Sequence, residues 1–162
     1  VMTRLKQRRY QEKVVREYET QADSVNLGDQ IYHHFGNVNE QTMNILQDMS
    51  SSFTQDISLN SIAEKYHFSV AYLSRMIKKE TGYSFSEILN SMRLTEAVWL
   101  LQEDNVKIGL VCEKAGFRDS RYFSQVFKKV FGCSPGEFRK NSEEHKTYRI
   151  KTILEMIKEN TK

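Results

Sequence analysis

Basic and amide side chains recur at matching positions in two separate stretches of the chain. They are Arg75, Lys78 and Lys79 in the first stretch and Arg121, Gln125, Lys128 and Lys129 in the second. An arginine can bond bidentately to guanine and a glutamine to adenine, whereas lysines more often contact phosphate groups. The residue types and their spacing therefore predict recognition of double-stranded DNA.

Residues that would support catalysis or metal binding do not cluster in the sequence. The four histidines are scattered, at His33, His34, His67 and His145. The sequence lacks a glycine-rich phosphate loop, and Cys112 and Cys133 have no neighbours at the spacing of metal ligands. We therefore predict that the protein is not an enzyme and holds no metal ion or cofactor.

The 162 residues have an ordinary globular composition, with 39% hydrophobic and 28% charged residues, which argues against a disordered chain and a membrane protein. The net charge is only +3, but residues 23–56 carry five acidic and no basic groups, and residues 57–140 carry thirteen basic and nine acidic groups. Without a signal-peptide pattern and with two cysteines, the chain is expected in the reducing cytoplasm. Because it begins at Val1, we expect a fragment of a longer protein.

The apolar pattern predicts an almost entirely helical protein. Seven glycines and one proline interrupt the chain, and β-branched alternation is almost absent. The first predicted helix begins at Gln41 and ends at the serine run 50–52. Further helices are predicted at about 59–66, 70–81, 85–103, 108–115, 120–131 and 135–141. A final helix around 148–157 is expected to pack on the domain or on a partner. Residues 1–22 predict a weak connecting helix, and residues 23–39 an irregular joint.

An internal repeat organises the middle of the chain. The segment that begins at Leu59 aligns with the segment that begins at Ile108, with one gap of one residue in the turn. The identical pairs are Glu64/Glu113, Lys65/Lys114, Phe68/Phe117, Tyr72/Tyr122, Ser74/Ser124, Lys78/Lys128, Lys79/Lys129, Gly82/Gly132, Ser84/Ser134 and Glu87/Glu137. Each copy has a short helix, a tight turn and a longer helix that ends at a glycine, which is helix-turn-helix architecture.

The turn and the longer helix of each copy are expected to have distinct roles. Where a glycine is usual at the bend, the second copy has Gly116 and the first has His67, which we interpret as a turn residue that tolerates a positive φ. One side of each longer helix is apolar and is expected to pack on the core through Leu73, Met76 and Ile77, or Phe123, Val126 and Phe127. The opposite side is polar, basic and free of acids.

Residues 84–103 between the two copies predict one unbroken helix. Twenty residues would span about 30 Å, close to the roughly 34 Å between successive major-groove openings on one face of B-DNA. Such a strut would hold both longer helices on the same face of the duplex. A single chain would then recognise a long, non-palindromic site.

These residues resemble the DNA-binding domain of the AraC/XylS family of bacterial transcription regulators over about 41–140. The segments that carry the resemblance are 62–64, 72–75 and 78–82 in the first copy, 93–94, Ala97 and 100–101 in the linker, and 115–117, 122–124, 127–129, 131–132, 134–135 and 138–139 in the second copy. The resemblance implies an all-α domain of seven helices. It also implies that two recognition helices enter adjacent major-groove segments and that the protein activates transcription by contacting RNA polymerase.

The resemblance assigns base contacts to Ala71, Ser74 and Arg75 and to Ser120, Arg121, Tyr122 and Gln125. The predicted phosphate contacts are Lys78, Lys79, Arg93, Arg118, Lys128 and Lys129. Because Ala71 is smaller than the residue that some members carry, the first unit would read DNA through Arg75 and a thymine methyl contact, so the two units are expected to be unequal. Cys112 stands where the family prefers alanine, so we expect it to be a small buried residue and not a reactive thiol.

We divide the chain into a connector and joint from an upstream domain (1–40), a double helix-turn-helix domain (first unit 41–83, linker helix 84–103, second unit 106–140) and a helical extension (141–162). Residues 1–22 resemble the helical connectors that follow receiver or sensor modules, which favours the interpretation that the chain is the effector part of a response regulator. Dimerisation through the upstream domain or the N-terminal connector stays open. The alternative is a protein-interaction module whose helix-turn-helix units no longer bind DNA, against which the basic faces of both copies argue.

Overall fold

The computed structural model describes residues 27–103, 105–141 and 148–161. The helices in these residues are α1 (Leu27–His34), α2 (Glu40–Ser52), α3 (Leu59–Lys65), α4 (Val70–Thr81), α5 (Phe85–Leu101), α6 (Ile108–Lys114), α7 (Ser120–Phe131), α8 (Pro135–Lys140) and α9 (Ile150–Asn160). Every regular element in the described ranges is helical, which confirms the predicted all-α class. The connecting helix predicted for 1–22 lies outside the described residues.

Polar side chains cap the N-terminus of most helices, each by accepting a hydrogen bond from a backbone N–H of the first turn. The capping residues are Asn39, Ser58, Ser69, Ser84, Asp119 and Ser134. In α5 the cap is reciprocal, because Glu87 Oε1 accepts from the Ser84 N–H at 2.9 Å and the Glu87 N–H donates to Ser84 Oγ at 3.1 Å. As the repeat predicts, α4 and α7 both end at a left-handed glycine, Gly82 and Gly132.

Two hydrophobic cores lie at the two ends of α5. The first core combines residues of α1 to α4 with the first half of α5, including Ile88 and Met92. The second combines the other half of α5, from Leu94 to Leu101, with residues of α6, α7 and α8. The structure therefore contains two helix-turn-helix units that share one helix.

The prediction of an irregular joint at 23–39 is wrong for Leu27–His34, because these residues form α1. Leu27, Ile31 and Phe35 are spaced four residues apart and are all buried in the first core. This spacing places their side chains on one face of a helix. Burial of that face outweighs the low helix propensity of the surrounding glycine and asparagine residues.

The linker helix is shorter than predicted. α5 has 17 residues, from Phe85 to Leu101, and therefore spans about 25 Å and not 30 Å. Beyond it, the backbone N–H groups of Gln102 and Glu103 bond to carbonyls only three residues earlier, those of Trp99 and Leu100. These tighter turns end the α-helix before the predicted boundary at residue 103.

The predicted final helix is confirmed as α9, and it packs on the domain. Its contacts reach α1, α5 and α7, and Ile150, Ile153, Leu154 and Ile157 are buried. Among the described residues, the structure has no helix with the length and apolar character needed to cross a membrane.

Candidate nucleic-acid interface

The turns of the two units have matching backbone geometry. His67 has a φ of 59° and Gly116 a φ of 95°, which confirms the interpretation of His67 as a turn residue. In each unit the residue after the bend donates its N–H five residues back, from Phe68 to Ala63 O at 2.8 Å and from Phe117 to Cys112 O at 3.0 Å. The same bend therefore sets the direction of α4 and of α7.

The two longer helices present equivalent faces to solvent. Leu73, Met76 and Ile77 of α4 and Phe123 and Phe127 of α7 are buried in their respective cores. The exposed residues on the other faces include Ala71, Ser74, Arg75, Lys78 and Lys79, and Ser120, Arg121, Tyr122, Ser124, Gln125, Lys128 and Lys129. The fold thus brings the predicted base and phosphate contacts of these helices onto two accessible surfaces.

The N-termini of the two helices differ in charge. Ser69 Oγ accepts a hydrogen bond from the Tyr72 N–H at 3.1 Å, whereas an Asp119 carboxylate oxygen accepts from the N–H groups of Arg121 and Tyr122 at 2.8 and 3.4 Å. A carboxylate at this position is stabilised by the helix dipole. α7 therefore begins at a negative charge, which the prediction of an acid-free face did not include.

One exposed tyrosine lies in the first turn of each recognition helix. The Tyr122 ring lies 6.2 Å from the Phe117 ring, and its hydroxyl accepts a hydrogen bond from Asn90 Nδ2 at 3.0 Å. Tyr72, at the equivalent place in α4, is 46% exposed and packs on Phe68. Tyr122 is therefore held against α5, with its exposed edge available to a partner.

Val70 was not among the predicted contacts, although it is the first residue of α4 and is 41% exposed. An exposed apolar side chain at the start of a recognition helix suits contact with a thymine methyl group. Its position one residue after the Ser69 cap is the sequence signal that would have identified it.

Two of the predicted phosphate contacts already have partners at the surface. Lys78 Nζ donates to Gly82 O at 3.1 Å and lies 3.9 Å from the Glu87 carboxylate. Arg118 pairs with Asp56 at 2.8 Å, and both side chains are more than half exposed. Exposed pairs of this kind contribute little to stability, so these cations can exchange their partners for a phosphate.

Arg93, another predicted phosphate contact, is half-buried and makes hydrogen bonds within the protein. Its Nε donates to Phe53 O at 2.8 Å and its terminal nitrogen donates to Gln55 O at 3.1 Å. The guanidinium carbon lies 5.9 Å from the Phe117 ring centroid, and burial lowers the pKa of this group. Arg93 therefore joins α5 and the segment after α2 to the turn of the second unit.

Gly116 adds a second close contact between the two units. A Cβ at this position would lie 2.7 Å from both Phe53 O and Thr54 Cα, which is closer than real Cβ contacts come. The turn of the second unit thus packs directly on backbone of the first.

An open cleft of about 540 Å³ lies beside the contact between Gly116 and the first unit, lined by residues that include Thr54, Asp56 and Ser120. Within the described residues no group of three potential metal ligands comes together.

Cys112 was predicted to be a small buried residue. It is buried, and burial raises the pKa of its thiol.

Comparisons with known proteins agree with this architecture. The model of a helix-turn-helix domain family matches residues 62–141. The C-terminal domain of AraT, a response regulator from Geobacillus stearothermophilus, is 36% identical, with a TM-score of 0.62 over 65% of this chain and 88% of that one. The DNA-binding domain of AdpA, solved in complex with a target DNA, is 18% identical with a TM-score of 0.61, covers 67% of this chain and 97% of that one, and supports the fold alone.

Among curated proteins, the transcriptional activator RhaR of Pectobacterium atrosepticum is 36% identical over 95 residues, which are 59% of this chain and 34% of that protein. The chain therefore spans about a third of the length of this relative.

Proposed function

The chain belongs to the AraC family of helix-turn-helix transcription regulators, and we propose that its two units bind one continuous, asymmetric site on double-stranded DNA. The family consists of regulators and not of enzymes, which confirms the prediction of no catalytic activity. The observation that carries the proposal is the pair of equivalent exposed faces on α4 and α7. In this arrangement α4 and α7 enter adjacent segments of the major groove, each braced by the shorter helix before it.

Base recognition in the proposed complex differs between the two helices. On α4, Arg75 is suited to guanine and Ala71, with Val70, to a thymine methyl group. Ser74 supplies a hydroxyl that can both donate and accept.

On α7, Arg121 can donate two hydrogen bonds to guanine, and Gln125 can donate one to adenine and accept one from it. Ser120 and Tyr122 add hydroxyl groups on the same exposed face. The second unit therefore carries more hydrogen-bonding groups and is expected to read more base pairs.

The phosphate contacts are assigned to the lysines in the last turns and to one arginine, namely Lys78, Lys79, Lys128, Lys129 and Arg118. Each cation that neutralises a phosphate releases counterions, so affinity falls as salt rises. Asp119 acts in the opposite sense, because its carboxylate already occupies the N–H groups at the start of α7. We expect the Asp119 carboxylate to weaken the binding of phosphate groups at the N-terminus of α7. Binding would then favour DNA sequences in which base contacts offset this loss.

In the whole protein, we propose that this domain activates transcription through RNA polymerase and that an upstream receiver controls it. The support is that RhaR is named an activator and AraT a response regulator. A homodimer formed through the upstream domain or the N-terminal connector is compatible with that arrangement, and we propose a cytoplasmic location.

Fluorescence anisotropy with labelled duplexes and random-sequence competitor tests the proposal. We expect binding that survives the competitor, and its loss in an Arg75→Ala/Arg121→Ala variant. A Lys140→Ala/Lys151→Ala variant removes the same charge from exposed positions outside the recognition helices and serves as the control. Failure of the wild-type chain to bind any promoter fragment would instead favour the protein-interaction alternative.

A further inference from the structure

The last turn of α9 touches the C-terminal ends of both recognition helices. Lys158 Nζ lies 5.6 Å from the ring centroid of Tyr83, which directly follows the Gly82 cap of α4. Asn160 Nδ2 donates a 2.7 Å hydrogen bond to the Lys129 carbonyl in the last turn of α7. A single helical turn thus connects the ends of α4 and α7.

The buried face of α9 is divided between the two cores. Ile150 and Leu154 belong to the core of the first unit, and Ile153 and Ile157 belong to the core of the second. Residues four apart lie above one another on a helix, so α9 carries two adjacent apolar rows, one for each unit. Movement of one unit relative to the other would separate one of these rows from its core.

The N-terminus of α9 is anchored to the first unit by a polar contact. α9 has no side-chain cap of its own, and the Ile150 N–H donates instead to Gln30 Oε1 of α1 at 3.1 Å. Because the first backbone N–H groups of a helix need external partners, α1 supplies what the sequence of α9 lacks. α9 therefore runs from α1 in the first unit to α7 in the second.

We propose that α9 is a brace that fixes the placement of α4 relative to α7, with Lys158 and Asn160 as positioning residues. The brace has a consequence for DNA that rests on the proposed function: it limits the spacing between half-sites that the chain accepts. α9 begins after residue 141, where the match to the family model ends, so this restraint is an addition to the matched domain.

The test variant is Lys158→Ala/Asn160→Ala, because deleting α9 would expose both cores and could unfold the chain. Lys151→Ala/Thr152→Ala is the matched control, since it removes the same charge and one polar group from exposed positions of α9. Nitroxide labels on cysteines introduced at Lys79 and Lys128, in a Cys112→Ala/Cys133→Ser background, report the distance between α4 and α7 by pulsed electron resonance. Loss of the two contacts is expected to widen the distance distribution about twofold, with no change in the control. An unchanged width in the test variant overturns the brace.

The consequence for DNA is measured without labels, as the ratio of affinities for a selected site and for the same site with one base pair inserted between its halves. We expect this ratio to fall about threefold in the test variant and to stay constant in the control. Equal losses on both sites, as general destabilisation would give, overturn the spacing role. Absence of wild-type binding to every duplex refutes the proposed function, while the distance measurement still decides the brace.

Discussion

Arg93 Nε donates a hydrogen bond of 2.8 Å to the backbone oxygen of Phe53, which lies 40 residues earlier in the chain. This bond ties the helix shared by the two units to the end of α2 in the first unit, directly beside the turn of the second unit. Arg93 therefore restrains the turn that precedes α7, and in our proposal α9 restrains the C-terminal ends of both recognition helices.

Arg93→Ala is expected to lower the free energy of unfolding by about 2–3 kcal/mol, because two charge-assisted hydrogen bonds to backbone are lost. Arg118→Ala, which breaks an exposed ion pair, should cost less than about 1 kcal/mol. Urea denaturation of both variants measures the difference. Equal effects would mean that Arg93 is no more structural than a surface arginine.

Opposite substitutions at the equivalent positions of the two turns should change the free energy of unfolding in opposite directions. Gly116→Ala should destabilise the protein by about 1–3 kcal/mol, because a Cβ is strained at positive φ and meets Phe53 and Thr54. His67→Gly relieves the same backbone conformation and should stabilise it by up to about 1 kcal/mol. Thermal unfolding of the pair checks this, and a stabilised Gly116→Ala variant would contradict the close packing.

Arg121→Ala is expected to weaken binding to the selected site by about 1–3 kcal/mol and to relax preference at one base pair. The reason is that a bidentate arginine discriminates one base from the others. Competition titrations with all four bases at each position locate the effect. A loss that is the same on every sequence would make Arg121 a phosphate contact instead.

Lys129→Ala should weaken binding to all sequences alike and reduce the slope of log K against log salt by about one unit. Its side chain is exposed at the end of α7, whereas its backbone carbonyl, which holds Asn160, remains in the variant. Titrations at four or more salt concentrations give the slope. A slope equal to that of the wild type would remove Lys129 from the phosphate contacts.

Local patterns in the sequence were sufficient to predict the two units and their exposed faces. The periodicity of Leu73, Met76 and Ile77 and the glycine after each longer helix are local signals, and the repeat requires only the comparison of two short segments. The same is true of His67, whose position in the repeat predicts its positive φ.

Contacts between distant segments explain what was missed. The role of Arg93 depends on carbonyls at positions 53 and 55, and carbonyls carry no sequence signal. α1 was missed because its apolar spacing lies among residues typical of loops, and its stability depends on packing against α2 and α9. The placement of α9 between both cores likewise depends on the assembled tertiary structure.

Selection of bound sites from random double-stranded DNA decides whether both units of one chain read DNA, since it measures sequence preference, site length and symmetry together. We expect one enriched, non-palindromic site with two segments about one helical turn apart. The segment in which Arg121→Ala relaxes one base pair should contain more specified positions than the segment in which Arg75→Ala does so. Enrichment of a palindrome, or of a single short segment, would contradict a single chain that reads DNA with both units.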